Sequence, residues 1–270
     1  VTLELLHHAP TALTPSRPPL LFIHGAWHGA WCWEVHFLPY FAAQGWDCYA
    51  LSLRGHGESP GKDLLRWVSI QDYVDDVQSV VDQLPETPIL IGHSMGGFIV
   101  QHLLEGRHFP AAVLVTPIPP SGTMGLLLRS IVHTPVAVIM STFQFRLRPI
   151  IGNLALARRA LFTQSLSDEV ARQYYKKMGD ESFLMLLDST ILNRPHVSRV
   201  RANSTPVYVL GAANDAIFTV REIQATGRAY GVTPVILDSI GHDVMLEADW
   251  ERAAEPIQTW LADQFPPAMS

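Results

Sequence analysis

The chain has 270 residues, of which 48% are hydrophobic and 16% charged, so it can build a large core and disorder is excluded. A net charge of −6 gives no whole-chain attraction to nucleic acid or an anionic membrane. Two cysteines, Cys32 and Cys48, make no disulfide framework and read as reduced, buried thiols.

In chain order, Leu3–His8 fits an antiparallel edge strand, and VTLELLHHAP lacks the basic-then-apolar pattern of a leader, so a cytoplasmic location is expected. Leu20–Ile23 (LLFI) is a short apolar strand ending at His24-Gly25, followed by a helix over Trp33–Gln44. Trp46–Leu53 (WDCYALSL) is the next strand and runs into RGHG. Apolar residues at Ile70, Val74, Val77, Val80, Val81 and Leu84 predict a helix over Ile70–Leu84. Ile89–Ile91 is a strand, Phe98–Glu105 a helix and Ala112–Thr116 (AVLVT) a strand. Pro206–Leu210 and Thr233–Leu237 are two more strands, followed by helices over Arg221–Tyr230 and Trp250–Phe265. Near-continuous apolar strands alternating with helices predict an α/β fold with a doubly wound, mostly parallel sheet.

About ninety residues between Thr116 and Pro206 break this rhythm. They open with the rigid PIPPSG and carry helical pieces at Leu126–Met140, Leu154–Phe162, Ser167–Met178 and Glu181–Ile191. The apolar stretch Met124–Phe143 is interrupted by Arg129, His133 and Pro135, and reads as a packed helix and not a membrane span. The expected division is a core of residues 1–116 and 206–270 with a helical lid at 117–205, placed over the C-terminal edge of the sheet, where open α/β sheets bind ligands.

Chemistry concentrates at strand ends. Gly92-His93-Ser94-Met95-Gly96 fits G-x-S-x-G between a strand and a helix, a context in which the serine hydroxyl is held above the sheet near a helix N-terminus. Ser94 is the candidate nucleophile. His242, in SIGHDVMLEADW after the last strand, is the candidate base. Asp215, in GAANDAIF after the fifth, is the candidate orienting acid, with Asp238 and Asp243 as competitors. The order serine, acid, histidine is the one such sites use. Two amides must stabilise the oxyanion. Met95 N–H is one, and the HGAWHGAW loop supplies the other, with Ala26 ahead of Trp27. Trp27 and Gly25 are candidate substrate-pocket residues, and His24 fits a brace for its loop. No HExxH or similar metal pattern occurs among the twelve histidines.

These residues resemble the α/β-hydrolase family in its lipase, esterase and acyl-hydrolase branch. His24-Gly25 resembles the oxyanion loop, Leu53–Ser59 the loop after the next strand, GHSMGG the nucleophile elbow, GAAND the acid loop and IGHDVMLE the histidine loop. The resemblance implies Ser94, Asp215 and His242 as triad, Ala26 and Met95 as oxyanion donors, and a helical cap after the sixth strand usual for that fold. The antiparallel strands usual before LLFI are shortened. HGAWHGAWCW is locally similar to a plant-type branch of methyl-ester esterases and hydroxynitrile lyases.

The expected activity is carboxylic ester hydrolysis through an acyl-enzyme, with no metal or organic cofactor, on a small apolar ester. No nucleic-acid partner and no stable membrane insertion are expected. A lyase or C–C bond hydrolase using the same residues is the alternative, and would need a basic lid side chain over Ser94. A non-catalytic receptor on a retained triad is the second.

Overall fold

The computed structural model describes residues 2–11 and 17–266. Seven strands form one sheet: β1 (Leu5–His8), β2 (Leu20–Ile23), β3 (Cys48–Leu51), β4 (Ile89–His93), β5 (Ala112–Val115), β6 (Val207–Ala212) and β7 (Val235–Leu237), in the spatial order β1-β3-β2-β4-β5-β6-β7. Only β1 is antiparallel, pairing Leu5 with Leu51 and His8 with Cys48. All four residues of β2 and of β5 are buried, as expected for strands covered on both faces. β1 alternates exposed and half-buried residues, the mark of an edge.

The Trp33–Gln44 helix of the sequence reading is two, α1 (Trp31–Glu34) and α2 (Phe37–Ala43), broken where His36 leaves helical geometry at φ −138°. Helix α3 (Ile70–Val81) opens with a capping box between Ser69 and Asp72 and buries the predicted Ile70, Val77, Val80 and Val81. Helix α4 (Met95–Gly106) starts one residue after Ser94, three residues earlier than its apolar pattern indicated. Gly96 and Gly97 hide that first turn from propensity reasoning.

After β5 come α5 (Met124–His133), α6 (Pro135–Gln144), α7 (Leu154–Leu161), α8 (Asp168–Lys177), α9 (Phe183–Leu187) continuing as a π-turn over Asp188–Leu192, and α10 (Val197–Ala202). Pro135 splits the expected Leu126–Met140 helix, because it cannot donate to the turn before it; α5 and α6 meet at 116°. No single described helix is long and apolar enough to cross a membrane. Ser167 caps α8 by accepting from Val170 N–H, as predicted. Helix α10, absent from the sequence reading, is a short turn packed on α4 and on α11 (Val220–Tyr230). Helix α12 (Glu251–Gln264) closes the chain against α2 and β6.

The helical cap is stitched to the core in several places. Thr123 N–H donates to Ser189 O (3.0 Å) and its hydroxyl lies 2.7 Å from that of Thr190, joining the two necks of the cap. Buried Glu181 accepts from Tyr73 (2.6 Å) and faces His56 Nε2 (3.1 Å). Ile70 N–H donates to Asp188, and Ser182 to Val68 O.

Candidate active site

Five segments converge at the C-terminal ends of β2, β4, β5, β6 and β7. The turn from β4 into α4 puts Ser94 at φ 52°, ψ −115°, a strained state for a residue with a Cβ. The turn exists because its neighbours have none: a Cβ on Gly92 would lie 2.5 Å from Gly96 O, and one on Gly96 would strike Ile23 O of the adjacent strand. Gly25 is excluded from carrying a side chain for a similar reason, since a Cβ there would sit 2.6 Å from His93 Nδ1 and 3.0 Å from Ser94 Cβ.

Ser94 Oγ lies 2.9 Å from His242 Nε2, and His242 Nδ1 lies 2.8 Å from Asp215 Oδ2. The second oxygen of Asp215 accepts the amides of Ile217 (2.7 Å) and Phe218 (2.9 Å), which fixes the carboxylate. Asp238, one competitor for this position, is exposed. Asp243, the other, is fully buried but faces the opposite way, its Oδ2 3.0 Å from His28 Nε2.

Burial works against a charge on His242, but the charge and hydrogen bond of Asp215, with the charge of Asp243, outweigh it and hold the imidazole above its ordinary value. His93 behaves oppositely: burial first, then the neighbouring His242, push it down to about 3. Its Nε2–H donates to His242 O (3.1 Å), and the two rings pack 4.9 Å apart. The Thr116 hydroxyl donates to the same carbonyl (3.0 Å) from the left-handed position φ 40°. His93 and Thr116 therefore hold the histidine loop, and His93 stays neutral.

The loop after β2, which carries Ala26, is held by two other histidines. Leu53 N–H donates to His24 Nε2 (3.0 Å), so the proton is on Nδ1 and is donated to Gly25 O (2.8 Å). That bond fixes the peptide whose N–H belongs to Ala26, the bracing role expected of His24. His28 Nδ1 donates to Ala26 O (2.7 Å), and Gly179 N–H of the cap donates to Trp27 O (2.8 Å), with Trp27 at φ 66°. Met95 N–H opens α4 and has no carbonyl of its own helix to reach.

A cavity of about 770 Å³ lies between the cap and the loops that carry Trp27, Ala216 and Ile217; Ser94, Asp215 and His242 are not among its lining residues. Its lining includes Trp27, Leu127, Val138, Leu186 and, beside Asp215, Ala216 and Ile217. Gly25 is not among the lining residues and packs against His93 and Ser94. Arg129, which interrupts the apolar Met124–Phe143 stretch, bridges from the cap to Glu222 (2.9 Å) and to Ile217 O (2.7 Å) beside Asp215.

Sequence reasoning missed three supports of the histidine loop: the His28–Asp243 pair, the Thr116 hydroxyl, and Glu247, which accepts Gly241 N–H (3.0 Å) and Thr163 N–H (2.6 Å). Asp243 and Glu247 did leave a signal, as two acids inside the apolar IGHDVMLE. His93, His242 and Asp243 bring possible ligand atoms within 4.8 Å of one another. Both His242 nitrogens already face Ser94 and Asp215, so this is not a free donor set for a metal.

The sheet order, the elbow and the helical cap together define an α/β-hydrolase fold. The model for the Alpha/beta hydrolase family matches residues 20–255, and the chain belongs to that family. Among curated proteins it is similar to mouse Protein phosphatase methylesterase 1, 36% identical over 97 residues that cover 35% of this chain and 25% of that protein. It is 27% identical over 128 residues to Methylesterase 2 of Arabidopsis thaliana, covering 39% of this chain and 48% of the relative. The chain thus spans about a quarter to a half of these relatives' lengths. Among solved structures, the Paleococcus ferrophilus monoacylglycerol lipase superposes with a TM-score of 0.71 at 18% identity, over 98% of this chain and 100% of that one, a likeness of fold.

Proposed function

We propose that the protein hydrolyses carboxylic esters through an acyl-enzyme on Ser94. The observation that carries this is the unbroken line from Ser94 Oγ to His242 Nε2 (2.9 Å) and from His242 Nδ1 to Asp215 (2.8 Å). Neutral His242 takes the hydroxyl proton as Oγ attacks the ester carbonyl, and the Ala26 and Met95 amides receive the developing oxyanion. The imidazolium, stabilised by Asp215, then protonates the leaving alcohol. Water attacks the acyl-serine with His242 again as base, which releases the acid and restores Ser94.

The apolar cap cavity supports an apolar acyl group, and its volume falls in the range that encloses small ligands. Both relatives are methylesterases by name, which supports a methyl or other small alcohol as leaving group. The cap body in this reading is residues 124–188, closed at the Thr123–Ser189 neck, with α10 as the crossover back to the sheet. Two buried, unpaired thiols support the cytoplasm as its compartment. A lyase or C–C hydrolase needs a basic cap side chain over Ser94; Arg129 is committed to Glu222 and Ile217 O, which leaves His133 and Arg159 of the cavity wall as the residues to vary in testing that reading.

The test is release of p-nitrophenol from acetate, butyrate and octanoate esters. Wild type is expected to turn over, and Ser94→Ala to lose about 10⁴-fold or more. Fluorophosphonate labelling should map to the peptide containing Ser94. Equal release by both proteins would sink the proposal.

A further inference from the structure

The outer face of the cap is apolar where a surface helix is normally polar. On α5, Met124, Leu128, Ile131 and Val132 are exposed; on α6, Val136, Ile139, Met140 and Phe143 continue the stripe. The spacing i, i+4, i+7, i+8 is one face of a helix. Val132 is 73% exposed and Phe143 82%. The opposite faces, through Leu127, Ser130, Thr134, Val138 and Ser141, line the cavity. These two helices are thus apolar both toward the ligand space and toward the outside, and α5 buries no residue fully. The eight exposed side chains amount to on the order of 800 Å² of apolar surface, above the few hundred Å² usual on a monomer. Beside them Trp67 packs on Phe145 at 5.8 Å, both exposed.

Charge points to what covers this face. From Pro117 to Ser167 the chain holds five of its 19 basic residues and none of its 25 acidic ones. The net charge of −6 conceals this asymmetry. Three of those arginines meet carboxylates from outside the segment: Arg129 with Glu222, Arg146 with Asp180 and Arg158 with Asp168. Arg148 and Arg159 have no salt bridge among the described residues, and Arg159 stands at the cavity wall. A second copy docked face to face would bring together two segments that hold no acidic residue of their own, so neither offers the other's arginines a carboxylate partner from this segment.

We propose that this face docks on an anionic lipid surface, so that an apolar ester passes from the lipid into the cap cavity. Docking itself does not depend on the esterase reading; delivery of substrate rests on it. The helices lie in the interface and do not span it, in keeping with their length and 116° bend.

The test is flotation of the whole chain with phosphatidylcholine vesicles, with and without phosphatidylglycerol. Wild type and Ser94→Ala should both float with the anionic vesicles, and less at high salt. Val132→Glu/Val136→Glu should lose about ten-fold or more in vesicle affinity, since apolar anchors become anions. It should still hydrolyse a water-soluble acetate ester like wild type, which checks its folding. Absence of flotation on both compositions, or undiminished flotation of the double variant, overturns the proposal. So does self-association abolished by the same substitutions, which would assign the face to a second copy. Flotation of a wild type that hydrolyses no ester would uphold the docking and remove the esterase reading.

Discussion

Asp215 and Asp243 flank the same imidazole, and only one of them touches it. Both raise the proton affinity of His242, Asp215 through charge and a hydrogen bond, Asp243 through charge alone. A general base must be neutral, so activity should fall as pH drops through a value above the ordinary histidine range near 6.5. Asp243→Asn removes one raising charge without touching the line to Ser94. The acid limb of kcat/KM against pH should then move to lower pH, with activity on the plateau retained. An unmoved limb would mean that Asp243 is electrostatically silent. Gly96 gives a second prediction of this kind. A methyl there strikes Ile23 O, so Gly96→Ala should destabilise by about 1–3 kcal/mol and lower Tm by several degrees in a thermal melt. A melt identical to wild type would show that the strand ends can separate.

At the level of elements, the cap is held by buried polar bonds as well as by apolar side chains such as Leu161, Phe162 and Met185 that join the main core. Glu181 is fully buried between Tyr73 and His56, and among the described residues its carboxylate is satisfied by this seam and the Ser182 amide. Glu181→Ala should cost about 3 kcal/mol, because Tyr73 and His56 are left buried without their partner. Urea unfolding followed by fluorescence measures this, and a loss under about 0.5 kcal/mol would contradict the role given to the seam. The strands and α3 were legible because their apolar period is undiluted. The cap was legible only as helix. Pro135 at the break could be seen, but the 116° bend and the direction of each face go with contacts between distant residues, such as Thr123 with Ser189, 66 positions apart.

For the whole molecule, the site was readable because each of its reacting groups follows a strand, and strand ends of a parallel sheet share one edge. Ser94, Asp215 and His242 could be placed together by that rule alone. What the rule cannot give is the support behind them. His28 and Asp243 are 215 positions apart, and nothing in HGAWHGAW marks its second histidine as a partner for the residue after His242. Whole-chain charge was similarly uninformative, because the carboxylate-free cap segment is averaged with an acidic remainder.

The neck at Thr123, Ser189 and Thr190 has a consequence for how such a molecule can change. Residues 124–188 leave and return through points already hydrogen-bonded to each other, so their replacement by a shorter or longer helical cassette need not alter the closure. The reacting groups lie wholly outside that interval. A transplanted cassette is expected to carry its own substrate range onto an unchanged elbow, provided it restores the Gly179 amide to the Trp27 carbonyl and the bonds of Glu181 and Thr163 to the core.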